Sequence, residues 1–251
     1  MVGTGIELAT QLTLEARTAI TQADIVFCLV AEPAARAWLS TLNPATHSLH
    51  TLYRQGRKRD ETYDAMTDVI LRHVRKGLDV CAAFYGHPGV FVTPSGDLLR
   101  RGREEGFRVR LLPGISAEAC LFADLGIDPS RTGCQSYEAT EFLVHRHRVD
   151  PTAALLLWQV GSVGNALATA DPAPTGLAVL IEALLDAYPP EHDVTVYEAS
   201  PYPGYEPLII RVPLARLSAQ HVTGLSTLYV PPREQPTADP TMLERLGLSE
   251  S

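Results

Sequence analysis

Apolar positions change their period several times along the chain. ADIVFCLV at 23–30 is a short apolar run rich in β-branched residues, which predicts a buried strand. From Asp60 the period lengthens: Tyr63, Met66, Val69, Ile70 and Val74 recur at three or four residues, the face of a helix. Arg72, Arg75 and Lys76 crowd its last turns and Gly77 follows as a stop. LDVCAAFY at 78–85 predicts the next strand, the stretch 97–105 a helix, and FRVRLL at 107–112 a further strand. Strands separated by helices indicate a mainly parallel α/β sheet. Beyond the Pro113-Gly114 turn, ALLLWQV (154–160), DVTVYEA (193–199), PLIIRV (207–212) and STLYV (226–230) predict strands, and a helix precedes Tyr188. Proline clusters at 171–174, 201–207 and 231–240 mark loops. The expected organisation is two α/β domains, 1–112 and 113–231. A flexible tail at 232–251 follows, containing a short amphipathic TMLERLGL.

Composition narrows the function. The 251 residues are 45% apolar and 20% charged, ordinary for a globular enzyme with a sizeable core. A net charge of −8 argues against a general nucleic-acid binder, for which counterion release rewards a basic surface. Cys28, Cys81, Cys120 and Cys134 are far apart with no CxxC pair, which speaks against a zinc cluster or a disulfide framework. No signal peptide and no run of roughly 18 apolar residues is evident, so the expected location is the cytoplasm. His145 and His147 lack a nearby carboxylate or cysteine set and read as surface residues, with no metal expected. Against the acidic background, YRQGRKRDETY at 53–63 gathers Arg54, Arg57, Lys58 and Arg59 between two tyrosines.

Three glycine-bearing turns follow apparent strands. VGTG at 2–5 is short and lacks the full dinucleotide spacing. FYGHPGVF at 84–91 places Gly86, His87, Pro88 and Gly89 at the carboxyl end of a strand, where open α/β sheets bind ligands. His87 has a plainer alternative there, a hydrogen bond that organises its own loop. LPGISAE at 112–118 offers Ser116 as a cap for a helix beginning near Ala117.

The order of these turns resembles the tetrapyrrole-methylase fold. The resemblance covers nearly the whole chain to about residue 231 and includes PGISAEACLFADLGIDP (113–129) and WQVGSVG (158–164). It implies a two-domain α/β methyltransferase that holds S-adenosyl-L-methionine (SAM) in the cleft between domains and releases S-adenosyl-L-homocysteine. FYGHPGVF, LPGISAEACLFADLGIDPS, CQSYEATEFLV and WQVGSVG are further similar to the borosin peptide α-N-methyltransferases, which methylate backbone amides of a ribosomal peptide. That family's tyrosine, arginine six residues on, tyrosine four beyond, and tyrosine of the turn fall here on Tyr53, Arg59, Tyr63 and Tyr85. The resemblance also implies that Gly5, Tyr85, His87, Val90, Phe91, Ser116, Ala117 and Gln159 line the SAM site.

The chemistry suits those residue types. An amide nitrogen is a poor nucleophile because its lone pair is delocalised into the carbonyl, so its proton must be removed and charge on its oxygen held. A phenol starts near pKa ~10, and the guanidinium of Arg59 favours a phenolate at Tyr63 or Tyr53. If the helix reaches back to Arg59, it shares a face with Tyr63; Asp60 is the alternative cap. The pair is expected to face Tyr85, which donates to the amide oxygen. Arg54, Arg57 and Lys58 read as a solvated or substrate-steering rim.

Two features depart from the fungal members, which carry their substrate on a C-terminal extension. Barely 20 residues follow Val230, and ERLGLSES is too short and charged to be a core peptide. Only Met1 and Val2 precede the first turn, suggesting a start a few codons late. The expectation is a separate precursor peptide acting in trans and a homodimer, alone or as a two-enzyme, two-peptide assembly, with any clasp built from within residues 31–60. The rivals are a small-molecule methyltransferase of the tetrapyrrole type and a non-catalytic SAM- or peptide-binding module.

Overall fold

A computed structural model describes residues 1–30, 32–54, 58–165 and 174–248. It divides into two compact units, the first built from Met1–Ile127 with Glu198–Leu208, the second from Asp128–Gly164, the described part of Asp171–Tyr197 and the chain from Ile209. The first unit's leading segment runs to Ile127 and includes the turn at 112–118.

In the first unit β1 (Val2–Gly3), α1 (Leu14–Gln22), β2 (Ile25–Leu29), α2 (Pro33–Leu42), β3 (Thr46–Ser48), α3 (Arg59–Val74), β4 (Val80–Phe84), α4 (Thr93–Glu104) and α5 (Ala117–Leu125) occur in that order. The sheet order is β1-β4-β2-β3 and every pairing is parallel. Strand alternation sorts β4 between two cores. Ala82 and Phe84 pack with Phe27, Met66, Ile70, Leu71 and Leu98, on the side of α3 and α4. Cys81 and Ala83 pack with Val2, Ala16, Ile20, Val26, Cys28 and Leu39, on the side of α1 and α2. Burial on both faces explains why β2 and β4 read as unbroken apolar runs.

FRVRLL does not become a strand. Alongside β1 it makes two backbone bonds: Leu112 N–H to Met1 O at 2.9 Å, and the Met1 amine to Arg110 O at 2.7 Å. With β1 only two residues long, it offers no ladder for a longer pairing.

The second unit contains β5 (Cys134–Glu138), α6 (Ala139–Val144), β6 (Ala154–Trp158), α7 (Pro174–Leu185), β7 (Asp193–Glu198), β8 (Leu208–Pro213), β9 (Thr227–Val230) and α8 (Pro240–Leu246). Its sheet runs β5-β6-β9-β7-β8 and is mixed: β5 and β6 are parallel, while β9 is antiparallel to both β6 and β7. Leu155, Leu157, Leu180, Leu184, Val194, Val196, Leu228 and Val230 form its core. The predicted tail contains an ordered turn of helix, because Asp239 Oδ1 accepts Thr241 N–H at 2.9 Å and caps α8. The loop expected at 171–173 lies outside the described residues, and Pro174 begins α7.

One buried polar side chain ties the first unit's layers together. Asn43 is 5% exposed; its Nδ2 donates to Ile20 O (2.9 Å) and Ala23 O (2.8 Å), and its Oδ1 accepts Ala45 N–H (2.9 Å). It thereby joins the end of α1 to the approach to β3. Asn43→Asp removes both donors while leaving two carbonyls facing a carboxylate. We expect a loss of about 1–3 kcal/mol in urea unfolding; an unchanged midpoint would show the site is solvated.

Candidate active site

The three glycine turns, far apart in sequence, are one object. Gly5 and Gly86 exchange backbone bonds, Gly86 N–H to Gly5 O at 2.9 Å and Gly5 N–H to Gly86 O at 3.3 Å. A Cβ on Gly3 would lie 2.2 Å from Gly86 O and 2.8 Å from Pro88 Cδ. A Cβ on Gly114 would meet Gly3 Cα and Gly86 O, each at 3.1 Å. Gly5 (φ +72°) and Gly86 (φ +70°) also hold left-handed backbone, which L side chains resist. The turns therefore close on one another at the carboxyl end of β1 and β4, the edge where parallel sheets take ligands.

Several predicted residues prove to organise this edge. Val90 N–H donates to His87 O (3.2 Å) and Gly89 N–H to His87 Nδ1 (2.9 Å), so the histidine builds its own turn, the plainer of its two readings. Ser116 Oγ accepts Ala119 N–H at 3.2 Å and caps α5, with its hydroxyl proton still able to donate, and Ala117 opens the helix half-buried. Phe91 is non-glycine at φ +54° and 45% exposed; a bulky residue there marks local strain, a feature that clusters at functional sites. Gln159, in the second unit, is likewise left-handed (φ +60°), at the end of β6.

Tyr53 and Tyr63 meet. Both are half-buried against the core of Phe27, Met66 and Phe84. α3 does begin at Arg59, so Arg59 and Tyr63 lie one turn apart on one face, and Asp60 stands in the first turn rather than capping it. Burial pushes the Tyr53 phenol well above its usual range; a side-chain hydrogen bond and charge interaction with Tyr63 add to this, and nearby Arg59 opposes it. Burial thus outweighs the guanidinium at Tyr53, which is held as a phenol. His50 helps to place it: its Nε2 donates to Val30 O at 2.7 Å and its ring lies 5.7 Å from that of Tyr53. Arg54 and Lys58 are exposed, whereas Arg57 lies outside the described residues.

Tyr85 has surroundings of its own: it continues the alternation of β4 to the α2 side and lines a pocket with Ile6, Val30, Trp38 and Pro201. Burial first, then Cys120, Glu32 and Glu198, push its phenol up to about 12. Tyr53, Arg59 and Tyr63 form one group, and Tyr85 lines a pocket of its own beside α2. The sequence reading also missed Gln11, whose Oε1 accepts Ile6 N–H (2.8 Å) and Glu7 N–H (3.0 Å) and so shapes the loop after Gly5. A polar residue six positions after a glycine turn was its only signal.

A larger cavity of about 690 Å³ lies at the opposite edge of the sheet, lined by Glu15, Asp79, Val80, Arg108 and Arg110. Its charges partly satisfy each other, Arg110 bonding Glu15 at 2.7 Å, and it lies at the starts of the strands. Size alone does not outweigh the strand-end position of the glycine turns. Elsewhere, His145 pairs with Glu141 (3.0 Å) and His147 stacks on Tyr137 (4.3 Å). Among the described residues no group of His, Cys, Asp or Glu could hold a metal ion, and no helix is long and apolar enough to cross a membrane. None of the four cysteines is in a disulfide.

This arrangement of sheet and turns is that of a known class. The chain belongs to the tetrapyrrole (corrin/porphyrin) methylase family, whose model matches residues 1–217. The fold is shared with uroporphyrin-III-C-methyltransferase from Thermus thermophilus, with a TM-score of 0.64, 20% identity and coverage of 100% of this chain and 96% of that one. The methyltransferase CobJ matches with a TM-score of 0.64, 16% identity and 95% coverage of each chain. Greater sequence similarity lies with fungal proteins. One, from Omphalotus olearius, is described as a methyltransferase/ribosomally synthesized cyclic peptide omphalotin A precursor. It is 43% identical over 257 residues, covering 99% of this chain and 61% of its own length. The corresponding gymnopeptide precursor of Gymnopus fusipes is 42% identical over 253 residues, covering 99% and 60%. A type III borosin precursor of Anomoporia bombycina is 39% identical, covering 100% and 30%. The chain thus spans about 60% or less of these three relatives' length, and each relative's name joins methyltransferase and peptide precursor.

The interlocked glycines can be tested against a matched control. Gly3→Ala drives a Cβ into the Gly86 carbonyl and is expected to abolish folding or cost more than about 3 kcal/mol. Gly96→Ala, within α4 and with nothing within 4 Å, should stabilise by about 0.5–1 kcal/mol. Equal thermal shifts would contradict the packing described.

Proposed function

We propose that this chain is a SAM-dependent methyltransferase that N-methylates backbone amides of a ribosomally synthesised peptide. The observation that carries it is the Tyr53–Arg59–Tyr63 group, assembled on one side of the glycine turns in a chain about 40% identical to borosin precursors. A methyltransferase acting on an already nucleophilic atom has little need of paired phenols beside a guanidinium.

The strand-end turns fit a nucleoside–amino acid. Phe91 and Ile115 expose apolar surface (45% and 37%) beside backbone groups of the His87–Val90 turn, the mixture such ligands use. Gly5, Tyr85, His87, Val90, Phe91, Ser116 and Ala117 are the residues we assign to it. Bound SAM supplies a methyl group activated by its sulfonium. We take Tyr63, which accepts the Tyr53 hydroxyl and is adjacent to Arg59, as the base. Tyr53 remains protonated and stabilises negative charge on Tyr63. The amide N–H proton passes to Tyr63, and Tyr85, held as a phenol, donates to the amide oxygen as charge develops there. The peptide is proposed to be a separate molecule, and the enzyme a homodimer in the cytoplasm.

The test is to incubate the protein with SAM and a synthetic peptide encoded next to its gene, and to locate methyl groups by tandem mass spectrometry. Backbone N-methylation of the separate peptide is the expected result; side-chain methylation, or turnover of a porphyrinoid instead, would overturn the assignment. Tyr63→Phe and Arg59→Ala should each lower kcat by at least about a hundredfold while SAM affinity by calorimetry stays unchanged. A parallel loss of SAM affinity would make them structural residues.

A further inference from the structure

Glu32 stands at the N-cap of α2, yet its side chain makes no capping bond. It turns away and accepts the Tyr202 hydroxyl at 2.6 Å. Tyr202 lies in a tight turn where Ser200 Oγ donates to Tyr202 O (3.0 Å) and accepts Tyr202 N–H (3.3 Å). The residue before it, Pro201, accepts Leu8 N–H at 2.9 Å. The 198–208 segment is thus tied at two points, to the loop after Gly5 and to the start of α2. Between those ties lies a small pocket of about 20 Å³, walled by Glu32, Tyr85 and Pro201 with Ile6, Val30 and Trp38. That is room for a water or a methyl group, and Glu32 and Tyr85 are two of its walls.

We propose that Glu32 is a positioning residue for Tyr85: anchored by Tyr202, it closes the pocket against the phenol ring and keeps the hydroxyl as a hydrogen-bond donor toward the ligand. The role deepens the assignment of Tyr85 as donor to the amide oxygen and rests on it. Charge points the same way. The titratable groups that face Tyr85 are Cys120 from α5, Glu32 from the start of α2 and Glu198 from the end of β7, and each disfavours a phenolate. A carboxyl group gains from the N-terminal dipole of α2 wherever it points near that end, so the helix does not dictate its orientation. The hydroxyl of Tyr202 does.

The experiment needs no substrate for its first arm. Fluorotyrosine at position 85, which ionises below tyrosine, is titrated by ¹⁹F NMR in the full chain. Glu32→Gln keeps an acceptor for Tyr202 while removing the charge, and should lower the midpoint by about one unit. Tyr202→Phe keeps the charge but frees it, and should move the ¹⁹F resonance at neutral pH and lower the midpoint by less. If Glu32→Gln fails to fold, Tyr202→Phe decides alone. Unchanged resonance and midpoint would overturn the proposal. In the second arm, E32Q should lower kcat for the gene-adjacent peptide about tenfold, below the roughly hundredfold lost with an oxyanion donor itself, with KM for SAM unchanged. Wild-type protein that fails to methylate any peptide would refute the proposed function, and the NMR arm would still decide the role of Glu32.

Discussion

The ligand face of the first unit depends on the contact of three backbones that carry no side chain. Gly3, Gly86 and Gly114 come close enough that a Cβ on either the first or the last would meet the carbonyl of the second. This contact fixes the ends of β1 and β4 and the entry to α5 relative to one another without a side chain that could rotate. The His87–Val90 turn and the Ser116 cap, which continue directly from those glycines, inherit their position from it. Preorganisation of this kind holds reacting groups in place before a ligand arrives.

The second constraint is the alternation of β4. Phe84 enters the core of α3 and α4, where Tyr53 and Tyr63 pack, and the next residue, Tyr85, enters the pocket beside α2. One strand end thus separates two phenol environments. In one, a neighbouring phenol and Arg59 surround Tyr63; in the other, burial and carboxyl groups hold Tyr85 protonated. In the proposed mechanism a base and a hydrogen-bond donor need opposite surroundings, and the neighbouring positions Phe84 and Tyr85 face the two.

Much of this was legible in the sequence. Doubly buried strands such as β2 and β4 appear as apolar runs, and α3 as a 3.6-residue period, because burial alone determines those patterns. The glycine turns were visible one by one, but that they interlock depends on contacts between residues far apart in the chain, such as Gly3 with Gly86 and Gly114, which local pattern does not carry. FRVRLL looked like a strand and lacks a long enough partner in β1. CQSYE is a strand without apolar alternation, since β5 is an edge strand and half-exposed throughout. Spacing placed Arg59 and Tyr63 on one face correctly but gave no measure of burial, which is what keeps Tyr53 protonated. Glu32, Gln11 and Tyr202 were missed because their roles are set by partners distant in the chain.

A crystal structure of the protein with S-adenosyl-L-homocysteine would decide where the cofactor sits. The ligand is expected at the strand ends, in contact with the His87–Phe91 turn and Ser116. Ligand bound instead in the larger cavity at the opposite edge, against Glu15, Asp79 and Arg110, would contradict that placement and the mechanism built on it.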